Sequence, residues 1–152
     1  GLTGAFNTAR AVIPIMKAQG SGAIVNIASN AGLMGCPNRS PYVAAKWALI
    51  GLTKTWAMEL GSYNVRVNAL CPASVEGARI DAVIARDATA RGVSEDAIRS
   101  VYERQSSLRA FTRVEDIAAM VCYLAGDQGI RISGQAIGID GHTETLANYL
   151  GP

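Results

Sequence analysis

The sequence is short of the residues that several kinds of site require. It holds one histidine, His142, and three cysteines, Cys36, Cys71 and Cys122, none of them in CxxC spacing. This usage predicts reduced thiols in a cytoplasmic chain rather than a disulfide framework, and it predicts no metal site. No apolar run approaches the roughly 18–20 residues of a membrane span, so we expect no membrane partner.

Charge is also scarce. Charged residues make up 17% of the 152 residues and the net charge is +2, which is too balanced for a nucleic-acid partner. Hydrophobic residues make up 49%, enough for the core of one globular domain. Residues 1–75 carry six basic side chains and a single acidic one, Glu59. This asymmetry indicates either a buried first half or a ligand that bears phosphate.

Hydrophobic periodicity predicts an alternation of helices and short strands. Apolar runs predict three strands, at 23–27, 64–70 and 136–139. Helical patterns cover 3–18, 42–60, 77–90 and 95–105. A fifth helix is predicted to begin at a capping box, Thr112–Glu115, and to end at Gly126. Strands separated by helices favour an α/β fold with a parallel sheet and helices on both faces. Ligands bind such sheets at the carboxyl ends of the strands, here the loops 28–41, 71–76 and 140–145.

The helix at 42–60 is apolar on every face, so it must be covered on more than one side. A neighbouring helix or a second subunit would supply the second cover. Trp47 and Trp56 on this helix are predicted to lie in the core or in a subunit interface. The composition of the helix leaves open whether a neighbouring helix or a second subunit covers it.

Ser29, Tyr42 and Lys46 all fall at the predicted carboxyl edge of the sheet. Tyr42 and Lys46 are four residues apart at the start of the long helix and share one face. An isolated tyrosine, with a pKa near ~10, is a poor acid–base group at neutral pH, and a nearby ammonium favours the phenolate. The alternative is structural: such pairs are common on helices, and a serine after a strand is usually a turn residue.

Three segments resemble the short-chain dehydrogenase/reductase family. They are Ile24–Ser29 followed by Ala31–Gly32 and Tyr42–Lys46, then Val65–Pro72, and finally Ser133–Gly141. The resemblance covers almost the whole chain, and the joint spacing of serine, tyrosine and lysine makes it specific. It implies the C-terminal half, about three strands, of a Rossmann-like doubly wound parallel sheet.

The resemblance implies an NAD(P)-dependent oxidoreductase that interconverts a secondary alcohol and a ketone by hydride transfer. Tyr42 would exchange a proton with the substrate oxygen, and Ser29 would hydrogen-bond that oxygen. Lys46 would lower the pKa of the tyrosine and hold the ribose of NAD or NADP. Substrate contacts are thus implied for Ser29 and Tyr42, and cofactor contacts for Tyr42, Lys46, Pro72, Ala73 and Val75. The segment at about 77–110 would be the substrate-binding lid. The resemblance also implies a homodimer or homotetramer that forms through helix 42–60.

The sequence departs from the family pattern in three places. It has no opening strand with a glycine-rich turn for the pyrophosphate. Gly1 stands where the family usually has an asparagine that supports a proton relay. Ala73 and Gly77 replace a usual glycine and threonine in the cofactor loop.

These departures lead us to expect that residues 1–152 are the C-terminal part of a single NAD(P)-binding domain. We expect that this part alone binds no dinucleotide and is inactive. The alternative is a catalytically inactive, reductase-like binding or regulatory fragment.

The substrate is left open between a polyol, a sugar, a hydroxy acid and a 3-oxoacyl thioester. Four arginines lie in the lid or just after it: Arg99, Arg104, Arg109 and Arg113. They permit an anionic substrate, although a similar number of acidic residues accompanies them.

Overall fold

A computed structural model describes residues 1–148, so the last four residues of the predicted domain lie outside the described part. The helices and strands follow one another as α1 (Leu2–Gln19), β1 (Gly22–Ile27), α2 (Ser40–Leu60), β2 (Val65–Pro72), α3 (Ala78–Arg91), α4 (Glu95–Glu103), α5 (Val114–Ala125) and β3 (Ala136–Ile139). The α/β fold predicted from periodicity is confirmed. In this part of the chain, no helix is long and apolar enough to cross a membrane.

The three strands form one parallel sheet in the order β1–β2–β3. Ile27 at the end of β1 is in register with Leu70, and Pro72 at the end of β2 is in register with Ile139. The carboxyl ends of all three strands therefore meet at one edge of the sheet. This edge is where the sequence predicted the ligand.

Helices α1 and α2 cover one face of the sheet. Val65 and Val67 of β2 pack there against Ala9, Trp56 and Leu60, in a cluster of buried side chains. Further along, the same face holds a second buried cluster of Ala28, Leu49, Ile50, Ala69 and Cys71. Because side chains alternate along a strand, Arg66 and Asn68 turn to the opposite face, where α5 contacts β1 and β2. Both faces are thus covered, as predicted.

Helices α3 and α4 form a hydrophobic cluster of their own. Ile80, Ile84, Ala88 and Ile98 are buried in it, with Phe111 among the half-buried side chains packed around them. Ser94 caps α4 by accepting a hydrogen bond from the Ala97 amide at 3.2 Å. The predicted lid, at about 77–110, is therefore a helix pair with a core separate from the two clusters on the sheet.

Two details of the sequence prediction are wrong. Thr112 does not cap α5: it is buried, and its hydroxyl donates to the Ile139 carbonyl at 2.7 Å. The N-cap is Arg113, whose amide donates to the Asp116 carboxylate at 2.9 Å, so the motif begins one residue later than predicted. The second strand also runs two residues past 70, to Pro72. Proline has no N–H to donate to a neighbouring strand, and this does not interrupt the strand because Pro72 is its last residue.

The two tryptophans of α2 have different environments. Trp56 is in the core, whereas Trp47 is 51% exposed and Met58, eleven residues further on, is 86% exposed. Residues eleven apart share one face of a helix, so α2 presents an apolar outer face opposite the one that packs on the sheet. Within residues 1–148, the helix is therefore covered on one side only.

Candidate active site

Ser29 lies two residues beyond β1, where a short 3₁₀ turn, Asn30–Gly32, begins. Its Oγ accepts a hydrogen bond from the Ala31 amide at 3.1 Å and donates to Asn30 Oδ1 at 3.2 Å. Asn30 is fixed in turn by the hydroxyl of Thr143, which accepts from its Nδ2 at 3.0 Å. The hydroxyl of Ser29 is thus positioned at the carboxyl edge of the sheet by its own turn.

Gly32 allows this turn to lie directly on α2. A Cβ at Gly32 would come within 3.0 Å of the Lys46 carbonyl oxygen and 2.9 Å of Ile50 Cδ1. Contacts this short with backbone would push the turn away from the helix. The absence of a side chain at this position therefore sets the spacing between Ser29 and the first turns of α2.

Tyr42 and Lys46 both project from the start of α2 toward the end of β1. Lys46 Nζ donates to the Ile27 carbonyl at 2.9 Å and lies 5.6 Å from the centroid of the Tyr42 ring. The same ammonium thus binds the end of a strand and faces the tyrosine. Tyr42 remains 38% exposed, so its ring is accessible to a small molecule.

Residues 73–76 form the loop that follows β2, and hydrogen bonds hold it on both sides. The Ala73 amide donates to the Ile139 carbonyl of β3 at 3.2 Å. Val75 forms a bridge with Thr112, whose amide donates to the Ser74 carbonyl at 3.0 Å. This loop is therefore a fixed wall next to the turn that carries Ser29.

These elements enclose a cavity of about 480 Å³ that opens to solvent. All six residues proposed from the sequence line it: Ser29, Tyr42, Lys46, Pro72, Ala73 and Val75. Residues from two loops and one helix, up to 46 positions apart in the chain, are thus brought to one site. Their catalytic and cofactor-binding roles stay predictions.

Part of the remaining wall comes from the predicted lid and from the segment after β3, at residues that the sequence analysis did not name. Tyr102, Gln105, Leu146 and Asn148 all line the cavity. Asn148 Nδ2 donates to the Tyr102 hydroxyl at 3.2 Å, and Gln105 Nε2 donates to Asn148 Oδ1. These bonds link the lid to the segment after β3, and no motif in the sequence indicated them.

The arginines at the cavity are not those that the sequence analysis named. None of the four lines the cavity; Arg99 and Arg113 form ion pairs with Asp81 and Asp116. The arginines that do line it are Arg39 and Arg79. Arg39 lies in the predicted ligand loop 28–41 and Arg79 in the predicted lid, but the sequence did not distinguish them from the other arginines, because their placement depends on how α2 and α3 pack at the sheet edge.

Cys71, immediately before the cavity loop, points into the core. It is buried among Leu49, Ile50 and Ala69, and burial raises the pKa of its thiol. The side chain packs as a small apolar group, as the sequence predicted. Cys36 is half-buried and Cys122 is exposed, and all three cysteines are free.

His142 lies in the turn after β3, outside the cavity. Its Nδ1 is 2.7 Å from the Ser107 hydroxyl, which donates to the Glu144 carboxylate at 2.9 Å. Among residues 1–148, no three His, Cys, Asp or Glu side chains lie close enough together to hold a metal ion.

The sequence and the structure both match known proteins. A family model described as enoyl-(acyl carrier protein) reductase matches residues 1–142. The D-beta-hydroxybutyrate dehydrogenase of Rhizobium meliloti is 40% identical over 141 residues, 92% of this chain and 55% of that protein. The trans-4-hydroxycyclohexanecarboxylate dehydrogenase of Sinomonas cyclohexanicum is 40% identical over 149 residues, 98% of this chain and 51% of that protein.

A solved structure of 4-hydroxyisoleucine dehydrogenase, complexed with NADH and succinate, has a TM-score of 0.73 and 35% identity. The match covers 93% of this chain and 54% of the other. The chain thus spans about half the length of the relatives that it matches. Its three parallel strands correspond to part of their Rossmann-like sheet, and the resemblance drawn from the motifs is confirmed. The chain belongs to the short-chain dehydrogenase/reductase family.

Proposed function

We propose that this chain is the catalytic part of an NAD(P)-dependent oxidoreductase that interconverts a secondary alcohol and a ketone. The proposal rests on one observation: Ser29, Tyr42 and Lys46 line one side of a cavity, and the loop after β2 lines the other side of the same cavity. Three relatives of the chain named above are dehydrogenases, which supports the reaction class. A small-molecule alcohol or ketone is the substrate we propose.

Tyr42 is the proposed acid and base. Its exposed ring stands at the cavity wall, where a phenolic hydroxyl can give a proton to a carbonyl oxygen or accept one from an alcohol. Ser29, with its hydroxyl already oriented by the turn, is proposed to hydrogen-bond the same oxygen. Lys46 places a positive charge beside the ring, and its bond to the Ile27 carbonyl fixes where that charge lies.

A nicotinamide dinucleotide, NAD or NADP, is the proposed cofactor and supplies or accepts the hydride when bound. The residues present fit its nicotinamide end, because the cavity joins the Lys46 ammonium to the apolar wall of Pro72, Ala73 and Val75. The relative complexed with NADH supports this assignment. No glycine-rich strand-to-helix turn for the pyrophosphate occurs in the sequence. We therefore propose that residues 1–152 alone bind no dinucleotide.

Substitution of Tyr42 in the full-length gene product tests this proposal. We expect Tyr42→Phe to lower kcat by a factor of about 10²–10⁴, because the proton transfer is lost, while the affinity for the cofactor is nearly unchanged. Turnover is followed by nicotinamide absorbance over a panel of secondary alcohols. Cofactor affinity is measured by calorimetry.

Tyr63→Phe is the matched control. Tyr63 is also exposed and also faces a lysine, with Lys17 Nζ 4.1 Å from its ring centroid, but it lies just beyond the opposite end of α2. If Tyr42→Phe kept most of the activity, the acid–base role would be wrong. If the wild-type gene product bound ligands without turning over any alcohol or ketone, the alternative of an inactive, reductase-like binding or regulatory fragment would be supported.

Self-association is also part of the proposal. The exposed apolar face of α2, with Trp47 and Met58, fits a homodimer or homotetramer that forms through helix 42–60. A cytoplasmic location stays a prediction from the cysteine usage and from the composition of the chain.

A further inference from the structure

The wall of the cavity carries more positive than negative charge. Besides Lys46, two guanidinium groups line it: Arg39 at the start of α2 and Arg79 in the first turn of α3. Glu76 is the one carboxylate among the described residues of the wall. A molecule in the cavity therefore meets an excess of positive charge.

The side chains of the two arginines form no ion pair or hydrogen bond within the described part of the chain. None of the ion pairs and side-chain hydrogen bonds of residues 1–148 involves Arg39 or Arg79, and none of the ion pairs involves Glu76. Other arginines are bound within the fold, such as Arg66, which donates to carbonyls at the end of α5. Both cavity arginines thus have their hydrogen-bond donors available to a ligand.

Arg39 is also unfavourable for the helix that it begins. It is the N-cap of α2, where Ser, Thr, Asp and Asn are the stabilising residues, and it makes no side-chain cap. A cation at this end opposes the helix dipole, and no acidic residue in the first turn compensates for it. The stability of α2 therefore does not explain why an arginine occupies this position. A negatively charged ligand in the cavity would offset the repulsion between Arg39 and the helix dipole, and so would explain it.

We propose that the substrate carries a carboxylate and that Arg39 and Arg79 bind it. Guanidinium groups pair with carboxylates through strong, charge-assisted hydrogen bonds that fix the orientation of the ligand. The inference rests on the proposed function, since it takes the cavity to be the substrate site. It narrows the substrate from any secondary alcohol or ketone to a hydroxy acid or the corresponding oxo acid. Arg39 and Arg79 are then specificity residues, and Tyr42 and Ser29 act on the hydroxyl of the same molecule.

The test compares acids with their neutral esters in the full-length gene product. The probes are 3-hydroxybutyrate and 4-hydroxycyclohexanecarboxylate, each paired with its methyl ester. The variants are Arg39→Gln and Arg79→Gln, and the control is Arg86→Gln, which removes the same charge from α3 outside the cavity. We expect the ratio of kcat/KM for acid to that for ester to fall about tenfold or more in the first two variants. The control should keep the wild-type ratio.

Each other result has a definite meaning. If the wild type oxidises acid and ester equally well, or the ratio does not change in the variants, the carboxylate inference is wrong while the dehydrogenase proposal stands. If instead the KM of the nicotinamide cofactor rises, the arginines bind dinucleotide phosphate, and the inference is again wrong.

A binding measurement separates this inference from the proposed function. Each acid is titrated into the protein without cofactor and followed by NMR, in the wild type and in both variants. Binding that depends on the arginines, in a protein that oxidises none of the probes, would support the anion site and contradict the dehydrogenase proposal. Equal binding, or no binding, in the wild type and the variants would contradict the anion site.

Discussion

The α3–α4 helix pair, the predicted lid, should loosen without unfolding the sheet when Ile98 is shortened to alanine. Ile98 is fully buried in the cluster that joins α3 to α4, and this cluster is separate from the two on the sheet. An isoleucine-to-alanine substitution in such a site costs about 2–5 kcal/mol, of which we take about 3. Because 1.4 kcal/mol is a factor of ten, the amides of α3 and α4 should exchange about 10²-fold faster in Ile98→Ala. The amides of β2 should exchange more slowly than those of the lid in both proteins.

Hydrogen exchange followed by mass spectrometry measures both segments at once. The control is Ile15→Ala, which removes the same atoms from a side chain that is 63% exposed. Since Ile80 and Val83 of α3 line the cavity, the looser lid should also raise the KM of the substrate. Equal acceleration of exchange in β2 and in the lid would refute the reasoning, because the cluster would then unfold only together with the sheet.

Two further predictions concern stability. Arg66 donates to the Leu124 carbonyl in the last turn of α5 and, at 2.9 Å, to the Gly129 carbonyl in the 3₁₀ turn that follows, so Arg66→Met should lower the free energy of unfolding by about 2 kcal/mol. Urea denaturation measures it, with Arg86→Met as control, and equal losses in the two variants would contradict the role. Burial raises the pKa of the Cys71 thiol above its ordinary value of 9.0, so above that pH the unfolded chain loses a proton that the folded chain keeps. Above about pH 9, the free energy of unfolding should therefore fall more steeply with pH in the wild type than in Cys71→Ala. Urea denaturation at several pH values measures it, and the same pH dependence in both proteins would contradict the prediction.

Much of the fold could be predicted because it depends on local patterns. The β-branched run at 23–27 and the alternation at 64–70 each have the length of a strand, and each became one. The parallel pairing followed from the helices between the strands, since parallel strands are joined by a long crossover connection, usually a helix. The boundary at Thr112 could not be predicted, because the hydroxyl of that residue has a tertiary partner, the Ile139 carbonyl, that competes with the capping role.

The candidate site divides in the same way. Ser29, Tyr42 and Lys46 could be found because each lies next to an element that the sequence indicates, and parallel strands bring their carboxyl ends together. Arg39 and Arg79 could not be separated by sequence from the other arginines, since no motif or spacing marks them. Only the packing of two helix starts against the sheet edge places them at the cavity.

By itself, the sequence determined the strands, the helices between them, the parallel sheet and the family, because periodicity, turn residues and motif spacing act over short distances along the chain. The tertiary structure alone decided which further polar side chains join Ser29, Tyr42 and Lys46 at the cavity. Gln105 and Asn148 are 43 residues apart and bond to each other there. Contacts of that kind depend on the angles at which packed elements meet, and those angles are set by the whole core rather than by any one segment.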